Sequence, residues 1–188
     1  TGRSDLPGAA ESRLYQRLRR VTALRLAVAA GQAGHDVICL KGTATAALLY
    51  PEPDARPMAD LDLLAPQSGL LALVEWLHGQ GFRFAPRRSR APWGLIGDAS
   101  FRPLLASDGT LNLDLHIEPD AWPLHRGLDA AAVRLASRPC ETEAGTIRIP
   151  SPSHLLLLAA SHAGRDLFAT DTFKNLVDGL FLVAGRAG

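Results

Sequence analysis

Cysteine is nearly absent from this chain. Cys39 and Cys140 are the only two in 188 residues, too few for a disulfide framework or a cysteine-built zinc site. The expectation that follows is a reducing, cytoplasmic setting. An excess of charge of one sign is missing as well: 20 Lys and Arg face 19 Asp and Glu, a formal net charge of +1. That balance argues against a protein whose main work is clamping nucleic acid electrostatically, although a local basic patch stays open. No apolar run reaches the ~20 residues that span a bilayer, so no membrane partner is expected. Lysine is as rare as cysteine: Lys41 and Lys174 stand beside 18 arginines. What is present is 47% hydrophobic and 21% charged, the make-up of a globular domain long enough to bury a core.

Residues 21–30, directly after Arg19 and Arg20, imitate a secretory signal, with a basic start, an apolar middle and an Ala-rich end. Arg25 interrupts that segment. Glu11, Arg13, Arg17, Arg19, Arg20 and Arg25 alternate with Leu14, Leu18, Val21, Leu24 and Val28 at helical spacing, so the reading is an amphipathic helix. The chain begins at Thr1 rather than Met, as a trimmed chain or a fragment does.

Texture divides the chain into a loose tail (1–8), an α/β core with its N-terminal helix (9–150) and a helical C-terminal part (151–188). The spacing predicts a helix over 9–33 that stops near Gly34, a buried strand over 36–40, and a short helix over 43–50. A proline-rich turn (51–57), a strand (60–65), a helix (68–79) and a short strand at 82–84 follow. Arg87, Arg88, Arg90 and Trp93 lie in a loop that is either simply solvated or a holder for a polyanionic acceptor such as RNA. Residues 111–118 form the clearest strand, followed by a helix at 128–135 and a short strand at 146–149. Two strongly apolar helices, 153–164 and 172–184, close the chain, the first capped by Ser151 or Ser153. Leu156, Leu157, Leu158, Leu180, Phe181 and Leu182 are expected in a core or an interface.

Candidate chemistry sits on the strands. Side chains alternate across a strand, so Asp60 and Asp62 share one face while Leu61 and Leu63 enter the core. Likewise Leu111, Leu113, Leu115 and Ile117 share a face, opposite Asn112, Asp114, His116 and Glu118. A half-exposed antiparallel strand alternates in the same way for solubility alone. If the two strands are neighbours with matched faces, however, several carboxylates crowd one side of the sheet. Like charges ~4 Å apart repel by about 4 kcal/mol at an effective dielectric near 20, so a cation has to offset them, and hard ions such as Mg²⁺ or Mn²⁺ suit carboxylate oxygens. Lys41-Gly42-Thr43 directly follows the first strand: glycine allows close approach to the backbone, Thr43 adds a hydroxyl, and a helix N-terminus favours anions. A plain strand-to-helix turn has the same composition, and the P-loop spacing is lacking. His154 and His162 fit packing or capping.

The order of these pieces resembles the DNA polymerase β-like nucleotidyltransferase superfamily. Leu40-Lys41-Gly42, Leu49-Tyr50-Pro51, Arg56-Pro57-Met58-Ala59-Asp60-Leu61-Asp62-Leu63-Leu64 and Leu113-Asp114-Leu115-His116 resemble the motifs of its family of uncharacterised nucleotidyltransferases. His154-Leu155-Leu156, Ser161-His162-Ala163 and the segment from Lys174 to Asp178 resemble its helical region, so the resemblance extends over roughly 10–184. It implies an α/β (α+β) fold, a mixed sheet flanked by helices with a helical C-terminal part. It also implies transfer of a nucleoside monophosphate from an NTP such as ATP to an acceptor hydroxyl on a small molecule, protein or RNA. On that resemblance Asp60 and Asp62 bind two Mg²⁺ or Mn²⁺ ions and Asp114 supports the attacking group. Gly42 and Thr43 cradle the triphosphate, and Lys41 and Arg56 are the candidates for neutralising its outer phosphates. His116, two positions from Asp114 on the same face, is open as a ligand, a base, an acceptor contact or a neighbouring hydrogen-bond partner, with the last favoured. Thr43 replaces the usual serine or glycine, and the stretch from Gly42 to Asp60 is longer than in many members. The alternatives weighed beside this are an inactive binding or regulatory module on the same fold and an Asp-x-Asp glycosyltransferase.

Overall fold

The structure, a computed structural model, describes residues 8–50, 52, 55–86, 100–120, 128–165 and 173–185. In chain order the first elements are α1 (Ala9–Gln32), β1 (Ile38–Cys39), α2 (Lys41–Leu49), β2 (Asp60–Leu64), α3 (Leu70–Gly79) and β3 (Phe82–Phe84). They continue with β4 (Leu104–Ala106), β5 (Asn112–His116), α4 (Ala130–Leu135), β6 (Arg138–Thr142), β7 (Gly145–Ile149), α5 (Pro152–Arg165) and α6 (Phe173–Val183). The tail residues 1–7, the loop with Arg87, Arg88, Arg90 and Trp93, and Pro51, Pro53 and Asp54 lie outside the described residues.

Alternating leucines decide where the sheet goes. Leu61, Leu63, Leu113 and Leu115 are fully buried, and burying such a side chain contributes about 1.5–3 kcal/mol, which draws β2 and β5 to the centre. The five strands run in the order β1-β2-β5-β4-β3. Only β2 and β5 pair in parallel; β1 with β2, β4 with β5 and β3 with β4 are antiparallel. The leucines above join α1 and α3 in the main core, while Ile38, Leu40 and Leu64 point the other way and pack with Leu128, Val133 and Leu158. The result is the expected mixed sheet flanked by helices. A separate hairpin of β6 and β7 lies beside it, with β7 against α1.

Several expectations change in detail. The first strand is only Ile38–Cys39, because the chain turns into α2 at Lys41, two residues earlier than the spacing suggested. The buried stripe of α1 is Arg20, Ala23, Leu24, Ala27 and Ala30, while Leu14 and Leu18 are exposed. Small alanines let this helix approach the sheet closely, and Arg20 is accommodated there by an ion pair with Glu143 at 3.2 Å. Strands β4 and β6 escape a reading from periodicity: β4 is three residues long, and β6 carries Pro139 with polar neighbours, which only an outer strand tolerates. The N-cap of α5 is Ser151, whose Oγ accepts from the His154 amide at 3.3 Å. In the C-terminal helices Leu155, Leu158 and Leu182 are buried, whereas Leu157 and Leu180 face outward. No helix among the described residues is long and apolar enough to cross a membrane.

Candidate active site

The parallel register carries the acidic side chains together. Asp62 lies opposite Asp114, and Leu64 opposite His116, so the polar faces of β2 and β5 coincide. Ligand atoms of Asp62, Asp114 and His116 all lie within 4.8 Å of one another. Asp60 stands outside that set, half-buried at the start of β2. Glu118, expected on the same face, turns instead to α4, where its Oε2 accepts from the Ala130 amide at 3.1 Å.

A backbone bond fixes the neighbouring turn. The Leu40 amide donates to the Asp62 carbonyl at 2.9 Å, which holds the start of α2 beside β2. Lys41 then adopts φ +42°, the one non-glycine positive φ among the described residues. That conformation costs on the order of 1–2 kcal/mol for an L-residue. Its Nζ donates to Asp62 Oδ1 at 2.6 Å and lies 3.2 Å from His116 Nε2. His116 Nε2 is itself 2.8 Å from the same Asp62 oxygen. The other ring nitrogen, Nδ1, is buried with no hydrogen-bond partner among the described residues.

The three aspartates experience different fields. Burial pushes the Asp62 carboxyl up, but the Lys41 ammonium and His116 outweigh it and hold the group well below the usual carboxylate range. Asp60 is pushed up to about 6, by burial first and then by the Asp62 and Asp114 charges, with Lys41 and Lys174 opposing. Burial and Asp62 likewise raise Asp114. Lys41 thus neutralises one carboxylate of three. The remaining donors, carboxylate oxygens with one imidazole, suit Mg²⁺ or Mn²⁺, and the nitrogen suits Mn²⁺ better.

Beside this cluster opens a cleft of about 250 Å³. Lys41 and Gly42 from α2, Asp60 and Asp62 from β2, and Lys174 and Asn175 from α6 line it. No side chain caps the first amides of α2, so a helix N-terminus, with its partial positive charge, borders the cleft. Thr43 does not reach it: the residue is buried, and its Oγ1 has no partner among the described residues. Arg56 is also on the wall, but its guanidinium is buried and paired with Asp178, NH2 to Oδ2 at 2.6 Å. Sequence reasoning counted Ser161-His162-Ala163 and the 174–178 segment in the family resemblance but gave Lys174, Asn175 and His162 no place at the site, where they line the wall. One signal pointed to Lys174: both lysines of the chain border this single cleft.

A family model described as "Uncharacterised nucleotidyltransferase" matches residues 9–187. No curated protein matches the chain in sequence. Among solved structures, the chain is similar to an antigenic nucleotidyltransferase-like protein from Paracoccidioides brasiliensis at TM-score 0.57 and 16% identity, covering 88% of this chain and 75% of that one. It is also similar to ANT(2'')-Ia in complex with adenylyl-2''-tobramycin, at TM-score 0.57 and 14% identity over 92% of this chain and 88% of that one. The solution structure of the antibiotic-resistance factor ANT(2'')-Ia gives TM-score 0.53 and 17% identity, over 92% and 83% of the two chains. At such identities the likeness is one of fold.

Proposed function

We propose a reaction from one premise: the chain belongs to the uncharacterised nucleotidyltransferase family. It transfers a nucleoside monophosphate from an NTP to an acceptor hydroxyl. The hydroxyl oxygen bonds to the α-phosphorus, the bond to the β-phosphate oxygen breaks, and pyrophosphate leaves with that electron pair. The observation that carries the reading is the pairing of Asp62 with Asp114 on adjacent parallel strands, next to a cleft bordered by an uncapped helix start and both lysines.

Each residue has a role that its surroundings support. Asp60, Asp62 and Asp114 hold divalent ions, Mg²⁺ or Mn²⁺, with His116 beside them. Such ions, when bound as a pair, supply charge neutralisation at the phosphates and acidify the attacking hydroxyl. Asp114, whose carboxyl burial and Asp62 raise, is suited to take the hydroxyl proton. Gly42, having no Cβ, lets Arg56 NH1 come close beside the α2 amides that would receive a phosphate. Lys41 and Lys174 present ammonium groups to the phosphates, and Arg56 presents a guanidinium from the wall. Thr43, buried away from the cleft, is given no phosphate contact.

The test is incubation with α-labelled NTP and Mg²⁺ or Mn²⁺, offering pooled RNA, protein and aminoglycosides as acceptors. Label transfer with pyrophosphate release is expected, and its loss in Asp60→Ala and Asp62→Ala proteins that still unfold cooperatively. Transfer at the wild-type rate in those variants overturns the reading.

A further inference from the structure

One buried carboxylate ties the C-terminal helix to the cleft. Asp178, on α6, is 1% exposed. Its Oδ1 accepts from Tyr50 Oη at 2.8 Å and Arg56 Nε at 3.0 Å. Its Oδ2 accepts from Thr45 Oγ1 at 2.9 Å, from Arg56 Nε at 2.8 Å and from NH2 at 2.6 Å. A carboxylate offers about four lone-pair sites, so this one has no capacity left for an ion or a proton transfer. Stability alone is a poor reason for it, since a buried ion pair is often no better than apolar side chains of equal volume.

The reason lies at the far side of the guanidinium. Nε and NH2 of Arg56 are taken by Asp178, with Asn175 Oδ1 a further 3.4 Å acceptor for NH2. NH1 donates one hydrogen to the Pro57 carbonyl at 3.3 Å and lies against Gly42, where a Cβ would come within 2.7 Å of it. Gly42 is not among the positive-φ glycines. Its backbone therefore does not demand glycine; the approach of Arg56 does. Of the two hydrogens on NH1, one has no acceptor among the described residues and faces the Gly42 backbone on the cleft wall.

We propose that Asp178 is a positioning residue for nucleotide phosphate, an assignment that rests on the nucleotidyltransferase reading. It grips the Nε and NH2 edge of Arg56 so that NH1 is presented over Gly42, next to the first amides of α2. Tyr50 and Thr45 hold Asp178 in turn. The C-terminal helix thereby sets the geometry of a phosphate contact made by a residue that precedes β2.

Calorimetric titration tests this with three probes: the Mg²⁺ complex of α,β-methylene-ATP, inorganic tripolyphosphate and adenosine. Asp178→Asn keeps the shape but removes the charge that orients Arg56. The expected result is a Kd about tenfold weaker for both phosphate probes, the size of one charge-assisted contact, and no change for any adenosine binding. Arg56→Lys should match it, and the double variant should be no worse than either single one. Should Asp178→Asn fail to fold, Tyr50→Phe, which loses one Asp178 contact, should still weaken the phosphate probes about threefold on the same physical basis. Wild-type binding with unchanged affinities in the variants that fold, whatever their melting temperatures, overturns the assignment alone. Wild-type protein that binds neither phosphate probe overturns the nucleotidyltransferase reading, and the assignment with it.

Discussion

Lys41 Nζ lies 2.6 Å from Asp62 Oδ1, so the ammonium already engages an oxygen of a carboxylate proposed to hold a metal ion. The two side chains come from the start of α2 and the middle of β2, and the positive φ of Lys41 is part of what brings them together. On the proposed metal-binding role of Asp62, the ammonium and a divalent cation would compete for one oxygen. Lys41→Met should therefore bind Mn²⁺ more tightly in the absence of nucleotide, by about tenfold if one ion-pair contact is relieved. Electron paramagnetic resonance of free Mn²⁺ measures this directly, and equal or weaker binding contradicts it.

Asp60 and Asp62 should respond to neutralisation with opposite signs. The Asp60 carboxyl is pushed up to about 6 in the folded protein, from 3.8. Its ionised form therefore destabilises the fold above that pH, and the penalty fades as pH falls towards 3.8. Asp60→Asn should gain on the order of 1 kcal/mol at pH 7.5 after solvent screening, and nothing near pH 3.5. Asp62 is held below its usual range, so its stabilising contribution is present at neutral pH and lost on acidification. Asp62→Asn should lower the melting temperature at pH 7.5. Parallel thermal melts across pH check both, and a shared sign contradicts the electrostatics described.

Gly42→Ala places a methyl group 2.7 Å from Arg56 NH1. A free arginine tip would yield cheaply, but this one is held by Asp178. The expected cost is about 1–3 kcal/mol, typical of overpacking, together with weaker triphosphate binding. Denaturant unfolding and titration should show both effects; a variant with wild-type stability and affinity would mean that Arg56 moves freely.

Arg56→Met leaves Asp178 buried without its cation. Breaking a buried pair from one side typically costs about 3–5 kcal/mol, so this variant should be severely destabilised at pH 7. The double variant Arg56→Met with Asp178→Leu should recover much of that loss. Urea unfolding of the three proteins decides it, and an additive double variant refutes the coupling.

The acidic pair was legible because strand alternation is a property of local sequence: the period of two in Asp60-Leu61-Asp62-Leu63 and Leu113-Asp114-Leu115-His116 projects directly onto faces. That β2 and β5 are neighbours is not local, and the family resemblance supplied it before the register did. Glu118 fits the same period, yet the strand ends at His116 and its carboxylate serves α4. Arg56 and Asp178 are separated by 122 positions, and nothing in either one's surroundings in the sequence announces the other. Lys41 was legible as unusual but not in its partner, because the bond to Asp62 depends on a backbone conformation that composition does not reveal. Strands β4 and β6 stayed hidden because short or proline-containing strands carry almost no periodic signal.

The proximity of β2 and β5 carboxylates around divalent ions is tested most directly by Mn²⁺ binding in the presence of a non-hydrolysable NTP. The wild-type chain should bind Mn²⁺ in a nucleotide-dependent manner. Asp62→Asn and Asp114→Asn, verified as folded by circular dichroism, should each lose that binding, while Asp108→Asn, in an exposed turn, should retain it. Nucleotide-dependent Mn²⁺ binding that survives in both strand variants would contradict a metal centre built by these two strands.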